Sequence, residues 1–108
     1  MAVTADYASA GPKRAEVDAL AGATVLEFGS PWCGHCRRAQ PLIAEALAAL
    51  PGVRHLKIAD ASGRRLGRSF RVKLWPTLIF LRDGKEIDRV VRPATAREIG
   101  AALARLGP

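Results

Sequence analysis

Short apolar runs alternate along the chain with stretches in which apolar residues recur every three or four positions. Residues 23–29, Ala-Thr-Val-Leu-Glu-Phe-Gly, are rich in strand formers and read as a strand buried on both faces. Before them, Pro12 suits the first turn of a helix that carries Val17 and Leu20 inward and stops at Gly22. A longer helix is predicted from Cys33 to Leu50, with Leu42, Ile43, Ala46, Leu47 and Leu50 at helical spacing. Pro41 should kink it, and Pro51-Gly52 should end it. Residues 53–59 read as a second strand, in which Leu56 and Ile58 interleave with His55 and Lys57. A short helix over residues 62–70 would set Arg64, Arg68 and Arg71 on one side and Leu66 and Phe70 on the other. Residues 77–82 and 86–91 form a hairpin around Asp83-Gly84. A last helix over residues 95–106 turns Ile99, Ala102, Leu103 and Leu106 inward. Residues 1–11 are weakly patterned and read either as a short edge strand or as a loose arm. The order (β)αβαβαββα predicts an α/β fold: a central mixed sheet of four or five strands, flanked by helices on both faces.

Composition narrows the class. A length of 108 residues, 49% of them hydrophobic and 25% charged, is an ordinary globular balance for one domain. No apolar run approaches the roughly 18–20 residues of a membrane span. Residues 1–10 lack a basic segment followed by an apolar one, so no secretory signal is visible and a cytoplasmic location is expected. Two cysteines are too few for a disulfide scaffold.

Those cysteines stand together as Cys33-Gly34-His35-Cys36. A lone C-x-x-C reads as half a zinc site, a reversible dithiol or chance. Structural zinc wants four ligands, and the only other candidate outside the motif is His55, without a companion. The motif falls between a buried strand and a helix. There i and i+3 are neighbours, so the two sulfurs can meet. Cys33 then sits at the helix N-terminus, where unpaired N–H groups favour a thiolate, the attacking species in disulfide exchange. Cys36, one turn further in, is the resolving thiol. His35, protonated or as a hydrogen-bond donor, should stabilise the Cys33 thiolate; the alternative is a plain exposed residue. Glu27 is the anomaly of its strand. A carboxyl buried there should have a raised pKa and so pass protons to and from Cys36. Lys57 on the next strand would balance its charge. A structural Glu27–Lys57 pair, or a register that takes Glu27 to solvent, is the alternative. Trp75-Pro76 opens the third strand, and a proline there marks a special loop and a candidate cis bond.

The stretch Phe-Gly-Ser-Pro-Trp-Cys-Gly-His-Cys, Pro41, and Phe-Arg-Val-Lys-Leu-Trp-Pro-Thr-Leu-Ile-Phe-Leu-Arg-Asp-Gly-Lys-Glu together resemble the thioredoxin-fold family over residues 12–106. The resemblance implies a thioredoxin fold, with Cys33 as attacking thiol, Cys36 as resolving thiol and Glu27 in the place of a buried acid that is usually Asp. It also implies that Pro76 is a cis-proline facing the sulfurs and that the Trp75 backbone pairs with a substrate strand. Gly34-His35 is similar to the central dipeptide of protein disulfide isomerases, where thioredoxins carry Gly-Pro. Gly29 stands where thioredoxins often have Trp. Trp75 replaces a smaller residue, and Arg92 replaces a glycine of the substrate groove. With Trp32, Gly34, Trp75 and Pro76, Arg92 completes the expected substrate face.

Charge adds a question of partners. The formal charge is +7, and seven basic residues stand against Asp60 alone between Arg54 and Lys73. No nucleic-acid motif accompanies them, which leaves a solvated face or acidic protein partners. The expectation is a monomeric thiol–disulfide oxidoreductase acting on protein disulfides, mainly as a reductase. Its redox group would be the Cys33–Cys36 pair, with no metal or dissolved cofactor, and its electrons would come from a reductase or glutathione. The alternatives are a thioredoxin-fold adaptor with an incidental dithiol and a basic nucleic-acid binder.

Overall fold

The computed structural model describes residue 7, residues 11–60 and residues 64–107. The elements are α1 (Arg14–Asp18), β1 (Ala23–Gly29), α2 (Gly34–Ala48), β2 (Arg54–Ala59), α3 (Arg65–Ser69), β3 (Thr77–Arg82), β4 (Lys85–Val91) and α4 (Ala96–Arg105). The sheet runs in the order β2-β1-β3-β4. β1 and β2 are parallel, joined by the crossover that a parallel pair requires, here α2. β3 is antiparallel to both β1 and β4. The mixed sheet is therefore the one the element order predicts. The expected N-terminal strand or arm lies outside the described residues, apart from Tyr7 and Gly11.

β1 is the centre of the molecule, and residues 24–29 are all buried. Successive side chains of a strand point to opposite faces, so β1 feeds two cores. Val25 packs with Ala39, Ile43 and Leu47 of α2 and with Ile99, Ala102 and Leu103 of α4. On the other face, Leu26 and Phe28 pack with Val17 of α1, Leu66 of α3 and Phe70. Helices thus cover both faces, as expected. The buried faces of α3 and α4 are the predicted ones.

The ends of the elements depart from the pattern. α1 is one short turn, and Pro12 lies outside it. Lys13 is its N-cap, and the Lys13 N–H donates to Glu16 Oε1 at 2.8 Å. Gly22, at φ +79°, then turns the chain into β1. α2 runs through Pro41, which is exposed on its surface, and stops at Ala48. Leu50 therefore falls outside the helical phase and is exposed, against expectation. Arg71 likewise leaves the phase of α3, in a left-handed conformation at φ 57°. α4 is closed by a reciprocal cap: Thr95 Oγ1 accepts from the Glu98 N–H, and a Glu98 carboxylate oxygen accepts from the Thr95 N–H at 2.8 Å.

The β3–β4 turn shows how tightly this frame is drawn. Asp83 and Gly84 both have positive φ, 51° and 80°, as a two-residue hairpin turn of this hand requires. The Asp83 carboxylate accepts the Gly22 N–H at 2.7 Å. A Cβ on Gly84 would collide with the backbone carbonyl of Asp18. Gly84→Ala is therefore expected to lower stability by about 1–3 kcal/mol, whereas Gly52→Ala, which meets nothing within 4 Å, should leave the denaturation midpoint nearly unchanged. Urea titration of both variants tests the pair, and equal midpoints would contradict the packing of the turn against α1.

Candidate active site

β1 ends at Gly29, and residues 30–32 turn the chain into α2. Ser30 sets this turn: its carbonyl accepts the Cys33 N–H at 3.2 Å, and its hydroxyl accepts the Trp32 N–H at 3.1 Å. Cys33 is the N-cap of α2, with an extended backbone, and its Sγ accepts the Cys36 N–H at 3.2 Å. The Cys33 sulfur thus occupies the place where a capping oxygen usually satisfies a helix N-terminus. Both thiols are free. Cys33 is half-buried and Cys36 is 1% exposed. Burial, the hydrogen bond to Cys33 and the charge there push the Cys36 thiol up to about 12, opposed in part by Ser30 and Tyr7.

His35 is fully exposed, and Arg38 Nη2 lies 3.0 Å from its Nδ1. The charge of Arg92, some desolvation and the charge of Arg38 all lower its pKa. An Arg donor on Nδ1 and a depressed pKa describe a neutral ring. Of the forms expected for His35, that opposes the protonated one and leaves the neutral donor, through Nε2–H, and the plain exposed residue. The cations that act on His35 are Arg92 and Arg38.

Beneath the sulfurs, Glu27 has no solvent exposure. Its Oε1 is 2.8 Å from His55 Nε2, and its Oε2 accepts from Gln40 Nε2 at 2.8 Å and from the Tyr7 hydroxyl at 2.9 Å. Lys57 is the register partner of Glu27 across the β1–β2 pair. It is buried too, but its ammonium donates to Gln40 Oε1 at 2.7 Å, so Gln40 links it to the carboxylate. Burial by itself pushes Glu27 up. The hydrogen bonds from His55 and Gln40 and the charges of Lys57 and His55 outweigh it, and the carboxyl titrates below its ordinary value. The expected upward shift is therefore corrected in sign. Desolvation is legible from the strand pattern; the donors that replace water come from other elements.

Three members of this cluster had not been singled out as site residues. His55 and Lys57 are two apart on β2, hence on one face, and that face is the one Glu27 occupies. Gln40 is one helical turn beyond Cys36. Both signals were readable. Tyr7 reaches Glu27 across 20 residues of sequence and left no local trace.

The residues expected to form a substrate face meet at the start of β3. The Trp75–Pro76 peptide bond is cis. The Trp75 carbonyl lies 3.9 Å from Cys33 Sγ and accepts from Arg92 Nε at 2.9 Å. Arg92, exposed and at φ 51°, occupies a conformation that favours glycine, in line with the residue expected there. The Trp75 indole N–H donates to Asp60 at 2.9 Å, which anchors the ring on the β2 side. Trp32 is 89% exposed beside Cys33, and Gly34 is exposed at the head of α2. Among the described residues no cluster of His, Cys, Asp and Glu could hold a metal ion, and His55 is engaged by Glu27.

A dithiol at a strand–helix junction, facing a cis-proline over a buried carboxylate, is the site of a thioredoxin-type domain. The family model for thioredoxin matches residues 13–105, and the chain belongs to the thioredoxin family. It is similar to the solved thioredoxin 2 from Pseudomonas aeruginosa PAO1 in its reduced form, with 54% identity, a TM-score of 0.87, and 97% of this chain and 98% of that chain covered. Thioredoxin H-type 1 from Nicotiana tabacum is 37% identical over 62% of this chain and 53% of its own length. The thioredoxin of Chlamydia trachomatis serovar D is 37% identical over 65% of this chain and 69% of its own. The match thus spans little more than half of the plant relatives.

The lowered Glu27 fixes the sign of a stability effect. A group whose folded pKa lies below its unfolded value adds stability above the unfolded value, and that stability is lost as pH falls through the folded one. Glu27→Gln is therefore expected to cost on the order of 1–3 kcal/mol at neutral pH. The cost should shrink on acidification below the ordinary carboxyl value of 4.5. Denaturation of both proteins along a pH series measures it. A wild type that gained on the variant as pH fell would mean a raised carboxyl instead.

Proposed function

We propose that the chain is a thiol–disulfide oxidoreductase that reduces protein disulfides through Cys33 and Cys36. The observation that carries this reading is the Cys33 sulfur acting as the N-cap acceptor of α2, with the Cys36 thiol one turn behind it. A thiolate at Cys33 is stabilised by that N–H and by the helix terminus. It attacks a substrate disulfide, forming a Cys33–substrate bond and releasing one substrate thiolate. Cys36 then loses its proton and attacks Cys33. The second substrate thiolate leaves, and the Cys33–Cys36 disulfide carries the two electrons' worth of oxidation. Two electrons from a reductase or from glutathione restore the dithiol. The pair is the redox group of the cycle, with no metal or dissolved cofactor in its steps. The expected setting is the cytoplasm, with the chain as a monomer.

An extended substrate segment would lie along the Trp75 backbone, as in strand addition. The Trp75 carbonyl has two lone pairs, one of which Arg92 uses, so the other can accept a substrate N–H. Arg92 and Arg38 beside the sulfurs, on a chain of formal charge +7, favour acidic flanks on the substrate. Trp32 offers them an exposed apolar neighbour.

Two experiments test this reading. Cys36→Ser should accumulate a mixed disulfide through Cys33, and Cys33→Ser should accumulate none, as read by mass spectrometry after mixing with a disulfide peptide. Trapping through Cys36 would reverse the roles, and no reaction of the wild type would favour an adaptor with an incidental dithiol. For the charge, two disulfide peptides matched except for acidic or basic flanks are compared at low and high salt. The acidic peptide should react faster, by a margin that salt and Arg92→Gly both reduce. Equal rates at low salt would make the basic surface a solvated face without a recognition role.

A further inference from the structure

Tyr7 bonds the buried carboxylate and stands beside a sulfur. Its hydroxyl donates to Glu27 Oε2 at 2.9 Å, and the same oxygen borders, with Cys36 Sγ, the space over Gly29. The oxygen and the sulfur converge there because Gly29 has no side chain. A Cβ at residue 29 would lie 2.7 Å from Cys36 Sγ and 2.9 Å from the Tyr7 hydroxyl oxygen. The glycine therefore opens the slot in which the hydroxyl and the thiol meet. The ring is held from behind, with the Lys57 ammonium 4.3 Å from its centroid. The carboxylate bonds Tyr7, Gln40 and His55; Gln40 meets Cys36 at its backbone carbonyl, whereas Tyr7 stands on the side of its sulfur.

We propose that Tyr7 relays the proton of Cys36 to Glu27 in the resolving step. The inference rests on the oxidoreductase reading above and deepens it. As Cys36 Sγ attacks Cys33 Sγ of the mixed disulfide, the S–H proton passes to the Tyr7 oxygen. The Tyr7 O–H proton passes to Glu27 Oε2 in the same event. The Cys33–substrate S–S bond breaks, the substrate sulfur leaves as thiolate, Tyr7 is restored and Glu27 is neutral. Burial and the neighbouring Glu27 charge raise the phenol far above neutrality, so no tyrosinate forms and the two transfers are concerted. The lowered pKa of Glu27 keeps it ionised and ready to accept. Part of what holds the Cys36 proton in the dithiol is the hydrogen bond to Cys33 and the charge there. Both disappear once Cys33 is bonded to substrate, so the thiol becomes more acidic when the proton must leave.

The test uses the full chain and a symmetric aromatic disulfide whose two thiolates are released in turn, the first by Cys33 attack and the second by resolution. Tyr7→Phe keeps the ring over Lys57 and removes the hydroxyl. Its first phase should match the wild type, and its second should slow by at least about tenfold at neutral pH. The ionisable groups around the hydroxyl are Glu27 from β1, His55 and Lys57 from β2, and Cys36 with Cys33 at the head of α2. With Glu27 ionised, wild-type resolution should be nearly level between about pH 6 and 9, whereas in Tyr7→Phe it should climb with the Cys36 thiolate fraction. Tyr7→Phe combined with Glu27→Gln should be no slower than the worse single variant, because the two residues serve one path. Loss of the first phase in the wild type would overturn the oxidoreductase reading itself. An intact first phase with wild-type resolution and a level profile in Tyr7→Phe, or additive losses in the double variant, would overturn the relay.

Discussion

A carboxylate with no solvent exposure in the central strand of a sheet has to be solvated by protein, and much of this molecule is arranged around that need. Leaving such a charge unpaired would cost several kcal/mol. Here β2 supplies His55, α2 supplies Gln40, and the N-terminal segment supplies Tyr7. Lys57 stands behind Gln40. The donors outweigh desolvation, so the group stays ionised where burial alone would have neutralised it. The network also ties α2 to the sheet at the depth of Cys36, since Gln40 bonds the Cys36 carbonyl at 2.9 Å as well as the carboxylate. The carboxylate and the backbone of Cys36 are thus held by one side chain.

The outer end of the site follows a different logic. Cys33 is the cap of a helix, so its sulfur is placed by backbone geometry and needs no side-chain partner to orient it. Facing it, the Trp75 carbonyl is fixed by Arg92 and the Trp75 indole by Asp60. Charge is divided between the two ends. The sulfurs have a buried anion below them and exposed cations, Arg38 and Arg92, beside them. Those cations keep His35 neutral, which leaves long-range attraction to the arginines.

The strands, the hairpin and the inward faces of α3 and α4 were legible because period-2 and period-3.6 patterns record burial directly. Cys33, Cys36 and Pro76 were legible because their chemistry depends on neighbours a few residues away. The misreadings share one cause. Glu27 is read by its strand, a protonated His35 by its motif, and Leu50 by the phase of a helix that ends before it. Each was then decided by groups the local pattern does not contain: donors from other elements, two arginines, and the stop at Ala48.

The sequence by itself determined the α/β order, the strand–helix junction that makes Cys33 a cap, and the proline that opens β3. All of these follow from local periodicity, turn chemistry and i to i+3 geometry. Tertiary structure alone decided that Glu27 is charged, that Tyr7 bonds it beside Cys36, and that Arg92 closes on the Trp75 carbonyl. Protonation and hydrogen bonding at a buried group depend on which distant side chains replace its water, and only the packed chain brings those together.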